Sequence, residues 1–186
     1  MSGFEFFFSF YGLILGLAMA ELLSGFATVA RIGRLRDLGW GTTLLGLEVA
    51  YEILIFWLAA WHQYREVEPS IRTLALPFVL GAIYFIAAGI VFPRELKQID
   101  DVDGYFMAHK RKVATCLLII FTAGILNEVR YAVVAAEQGR WAYLFGHYVP
   151  FNLSILAGYL VLIFSRSRRW SIAALCWMLG WFVYVT

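Results

Sequence analysis

Six apolar runs, each bounded by charged residues, divide nearly the whole chain: Phe6 to Val29, Trp40 to Trp61, Thr73 to Phe92, Val113 to Ala136, Tyr143 to Phe164 and Trp170 to Val185. A bilayer core about 30 Å thick takes roughly 20 apolar residues per helical span. Runs of this length predict an all-α protein, a polytopic transmembrane helical bundle that forms a single domain over residues 1–186. The last run, of about 16 residues, is at the short edge for a span. Six spans are therefore the expectation, with five as the alternative. Only 15% of the residues are charged, against roughly a quarter in a soluble domain, so water is not the main solvent.

The cations give the expected orientation, because cytoplasmic loops are enriched in Lys and Arg. Arg31, Arg34 and Arg36 follow the first run. Arg94, Lys97, Lys110, Arg111 and Lys112 follow the third, and Arg166, Arg168 and Arg169 the fifth. The second and fourth loops hold only Arg65, Arg72 and Arg140. This distribution places the odd loops inside and both termini outside. Trp40, Trp61, Trp141 and Trp170 sit at predicted span ends, where rings with an apolar body and a polar N–H form an interfacial belt. Lipid headgroups are the counter-charge expected for these cations, and nucleic acid is not an expected partner. A bacterial inner membrane is the expected location.

Ala18-Met19-Ala20 has the form of a signal-peptidase site, but Met1 to Ser9 carries no Lys or Arg and does carry Glu5. The segment is expected to stay as the first span. Cys116 and Cys176 fall near cytoplasmic span ends, where thiols are usually reduced, so they are read as packing residues. Two halves of three spans meet near Pro93, as in inverted-repeat transporters, although residue-level similarity between them is poor.

Gly12, Gly16, Ala20 and Ser24 recur every fourth residue of the first run. Such a stripe lets another helix approach closely, either within the chain or in a homo-oligomer or membrane-protein partner.

The residues most expressive of function are ionisable groups within spans: Glu21, Glu48, Glu52, Glu128 and Arg130. A charge at the bilayer centre costs about 2.5–3.5 kcal/mol on the gentler insertion scale. Glu48 and Glu52 are one turn apart on one helix face, flanked by Tyr51. Like charges so close are not expected both to ionise in a dry site, an arrangement that suits a proton relay or a monovalent-cation site. The helical rise puts Glu21 and Glu48 each roughly 12–15 Å from the cytoplasmic boundary, where they could meet across a helix interface. Asn127, Glu128 and Arg130 fall in the outer half, where Arg130 could pair with Glu52 or Glu128. The expected ion or proton path is therefore Glu21, Glu48, Glu52 and Tyr51, with Asn127, Glu128 and Arg130 as charge partners. The plainer alternative is a buried polar cluster that sets helix register, but four acids against one base leave charge over.

The third loop, 94–112, has Leu96, Ile99, Val102 and Phe106 at helical spacing and is expected to form a cytoplasmic amphipathic helix. Asp100, Asp101, Asp103 and Gly104 resemble part of a calcium loop, but Lys110 stands where the closing Glu belongs, so a solvated acidic face is expected. His62, His109 and His147, the last near Asn152, offer no matched pair for haem. No span holds a lysine for a Schiff base. No hydrolase, phosphate-binding, zinc or dinucleotide motif is present, so no catalytic residue, metal or cofactor is expected. The expectation is a small ion- or proton-conducting channel or transporter subunit, with a non-catalytic membrane accessory or assembly protein as the alternative.

Overall fold

Long runs of Leu, Ile, Ala and Phe satisfy their backbone groups most economically as helices. In a computed structural model, which describes residues 3–32, 38–63, 70–93 and 101–185, every regular element among the described residues is helical. The elements are α1 (Gly3–Arg31), α2 (Trp40–Gln63), α3 (Ile71–Val91), α4 (Val102–Glu137), α5 (Trp141–Tyr143), a π-helical turn (Leu144–Tyr148), α6 (Val149–Phe164) and α7 (Arg168–Val185). Among the described residues, five helical stretches are long and apolar enough to cross a membrane: Glu5–Arg31, Trp40–Trp61, Thr73–Val91, Asp103–Val129 and Leu144–Phe164. The last apolar run forms α7, which opens with Arg168 and Arg169 and is not one of these five stretches.

Local chemistry sets several helix ends. Ser70 and Thr73 form a reciprocal capping box at the start of α3, with Thr73 N–H donating to Ser70 Oγ at 3.2 Å and Ser70 N–H to Thr73 Oγ1 at 2.8 Å. Asp101 caps α4 by accepting from the Gly104 N–H at 2.8 Å. At the far end of α4 the chain turns through Gly139, whose φ of 71° lies in the left-handed region that glycine enters without strain. Pro150 has no N–H to return to the preceding turn, and the wider π-helical turn Leu144–Tyr148 lies directly before it.

In the bundle α2 contacts α1, α3, α4 and α7, while α1–α3, α3–α4, α4–α6 and α6–α7 pack as further pairs. Close approach is bought with glycine on the receiving helix. A Cβ at Gly81 of α3 would collide with Ile14 of α1, and one at Gly158 of α6 with Met178 of α7. The face that α1 buries is Phe7, Tyr11, Leu15, Ala18 and Leu22.

The segment expected to lie as a separate amphipathic helix is described only from residue 101 onward, and 94–100 lie outside the described residues. Residues 102–112 are the first turns of α4, a helix of 36 residues and so about 54 Å long, well beyond a bilayer core of about 30 Å. Phe106 and Lys110 are buried there, 1% and 3% exposed. Lys110 Nζ donates to Ser165 O and to Ser171 Oγ, each at 2.6 Å, which ties α4 to the joint between α6 and α7. Asp103 meets Arg168 at 2.8 Å across the same joint. The acids of the calcium-like segment thus serve as a helix cap and an ion-pair partner. Asp100 is outside the described residues.

The exterior is apolar as well as the core. Glu48 and Thr42 are buried, whereas Leu13, Leu17, Leu126, Phe164 and many other large apolar side chains face outward. So much exposed apolar surface is a liability in water and costs nothing in lipid. Trp40, Trp61, Trp141 and Trp170 are exposed at or near helix ends.

Candidate functional site

The site grows from one turn of α2. Glu52 holds its carboxylate between two neighbouring helices. Tyr159 of α6 donates its hydroxyl to Glu52 Oε1 at 2.7 Å, and Tyr84 of α3 approaches Glu52 Oε2 at 3.3 Å and the Glu52 backbone oxygen at the same distance. Both phenols are fully buried. A buried phenol requires an acceptor and a buried carboxylate requires donors, so the three groups complete one another. A short hydrogen bond to a charged group contributes about 1.5–3 kcal/mol, and the longer, shared one from Tyr84 contributes less; together they offset part of the cost of holding a carboxylate away from water.

Glu52 faces a partly open cavity of about 580 Å³ bounded by α1, α2, α3, α4, the π-helical turn, α6 and α7. Apolar and aromatic side chains make most of its wall, among them Phe56, Leu80, Phe121, Phe151, Ile155 and Trp181. Glu128 of α4 lines the same cavity. Its Oε2 lies 3.4 Å from the Tyr148 hydroxyl, at the long end of a hydrogen bond. Asn152 Nδ2 donates to the Tyr148 backbone oxygen at 2.9 Å and fixes this part of the wall. Asn127, Tyr51, Gly146 and His147 also line it. Its described lining contains no Lys or Arg, and neither Glu52 nor Glu128 has an ion pair among the described residues.

Of the residues singled out from sequence, Tyr51, Glu52, Asn127 and Glu128 meet at this one cavity. Glu48 does not line it. It lies one turn away, fully buried, and neither carboxylate oxygen has a hydrogen-bond partner among the described residues. Glu21 sits half-buried where α1 meets α3, with a Cβ at Gly89 reaching to 3.5 Å from its Oε1. Arg130 belongs to α4, but its side chain is outside the described residues. In the small-residue stripe only Gly12 approaches a neighbour, Trp57 of α2. Gly16, Ala20 and Ser24 are exposed, and a Cβ on Gly16 would meet nothing within 4 Å.

Sequence reasoning missed Tyr84, Tyr159 and Tyr148. Their signal was present: a tyrosine in mid-run must find an acceptor, and intramembrane carboxylates in excess are the acceptors at hand. The chain matches no protein-family model, no curated protein and no solved structure.

Proposed function

We propose that this protein is a small membrane transport subunit that moves protons or cations, with Glu52 as the exchanging carboxylate. The observation that carries this reading is a carboxylate on the wall of a cavity of about 580 Å³, held by two phenols and lacking an ion-pair partner among the described residues. A carboxylate retained only to set register would be enclosed and paired. Glu52 instead borders open volume, where a proton or cation can reach it. Glu128 provides a second anionic station in the same volume. Glu48 and Glu21 form the approach from the cytoplasmic side, and Arg130 keeps the field-setting role expected from its sequence position. In this reading the chain has six spans with both termini outside, in a bacterial inner membrane, and functions as an oligomer.

Flux of protons and monovalent cations into liposomes carrying the full chain tests the proposal. Wild type is expected to conduct above empty vesicles at each of two pH values, and Glu52→Gln to abolish that flux while its unfolding transition stays in place. Wild-type vesicles no leakier than empty ones, under any cation gradient or voltage, would overturn it.

One observation favours a second reading, a membrane accessory or assembly protein. The stripe of Gly16, Ala20 and Ser24 is uncovered within the chain, as a face reserved for another helix would be. In that case Gly16→Leu weakens association more than any Glu→Gln change alters activity.

A further inference from the structure

We infer that the cavity bordered by Glu52 and Glu128 takes a lipophilic organic cation, a quaternary or protonated amine-like charge on an aromatic or branched alkyl body. The inference rests on the transport reading and names its substrate class.

Three features of the cavity argue for this occupant, the first two against an alkali ion and the third against an anion or a neutral molecule. The first is size. At about 30 Å³ of liquid per water, a cavity of about 580 Å³ has room for roughly twenty waters, and it lies within the 300–1,000 Å³ typical of small-molecule sites. A bare ion needs a close shell of oxygen ligands and gains nothing from the surplus space. The second is the wall. Phe56, Phe121, Phe151 and Trp181 present rings, so most of the surface bears no oxygen to replace an ion's hydration shell. Aromatic faces do attract a diffuse organic cation through the ring quadrupole. The third is charge. Two carboxylates, on α2 and α4, border the space, and the described lining has no Lys or Arg. His147 is an exposed member of the lining. An anion of the same shape would meet two like charges, and a neutral apolar molecule would leave both carboxylates facing hydrocarbon.

The test uses two ions of nearly identical shape and opposite charge, tetraphenylphosphonium and tetraphenylborate. Equilibrium binding is measured on the full chain in nanodiscs, with empty nanodiscs subtracted. Saturable tetraphenylphosphonium binding is expected, with no saturable tetraphenylborate binding. Glu52→Gln and Glu128→Gln are each expected to weaken the cation by about tenfold or more, in line with a desolvated cation–carboxylate contact. Gly124→Leu supplies a variant that leaves both acids in place. Gly124 lines the cavity and a Cβ there meets nothing within 4 Å, so leucine enters open volume, and it is expected to reduce binding without shifting the unfolding transition. Equal affinity for the two ions, or cation binding unchanged in all three variants, overturns the inference. Proton flux on the same preparations separates the two levels. Glu52-dependent flux with no saturable cation binding removes the substrate class and keeps the transport reading. Binding without flux supports the ligand site and removes transport.

Discussion

A buried carboxylate held by two phenols ranks its own partners by distance. Tyr159 donates to Glu52 at 2.7 Å and Tyr84 at 3.3 Å, with the latter hydroxyl shared with a backbone oxygen. Tyr159→Phe is therefore expected to cost about 1.5–3 kcal/mol and Tyr84→Phe under about 1 kcal/mol, following the strength of hydrogen bonds to charged groups. Equilibrium unfolding in mixed detergent measures both, and equal losses would show that the two hydroxyls are not ranked as their geometry implies. Glu48 is a different case. Its buried oxygens lack hydrogen-bond partners among the described residues, and an unsatisfied group of this kind costs about 1–3 kcal/mol or more. Stability alone would favour an apolar side chain there. At this scale sequence was informative about chemistry and silent about pairing. Glu52 and Glu128 stood out as charges within apolar runs, but their hydroxyl partners lie in other helices.

Helix packing follows the same division. Four-residue spacing groups Gly12, Gly16, Ala20 and Ser24 along α1, but periodicity along one helix does not say which face a neighbour covers: Gly12 meets Trp57, and Gly16, Ala20 and Ser24 are exposed. Where α1 meets α3, Gly81 of α3 receives Ile14 closely, Gly89 lies in ordinary contact with Glu21, and Gly25 of α1 receives Phe92 at the end of α3, while α1 presents its large residues Phe7, Tyr11 and Leu15 inward. Gly81→Leu should therefore cost about 1–3 kcal/mol by overpacking, and Gly16→Leu should stay within about 0.5 kcal/mol. Unfolding of the chain at high detergent-to-protein ratio reads both without interference from association. A large loss in Gly16→Leu under those conditions would mean that α1 packs by its small-residue face after all. Lys110 carries a related lesson. As one of a cationic cluster it looked like loop charge, yet its long apolar stem lets it lie within the α4–α6–α7 joint and offer its head to Ser165 and Ser171.

For the molecule as a whole, the ordering of polar and apolar surface decides the solvent. Many leucines and phenylalanines face out, beyond those that fill the apolar core, while Glu48, Tyr11, Tyr84 and Tyr159 face in; so apolar an exterior does not suit water. The proposed six-span topology requires α7 to cross although two arginines open it, and it places both termini on the same side. Sidedness of tags at the two ends in intact cells checks this. Tags on opposite sides would mean five crossings, with α7 lying in the interface.

Helix content, the approximate places of the long apolar helices and the presence of acids within them were legible in sequence alone, because each depends on residues adjacent along one helix; the fourth helix, however, begins at Val102 rather than Val113. The cavity, the partners of Glu52 and the covered face of α1 were decided only by tertiary structure. They rest on contacts such as Tyr159 to Glu52, 107 positions apart, and no local pattern specifies which of several buried phenols a given carboxylate will meet once the helices have packed.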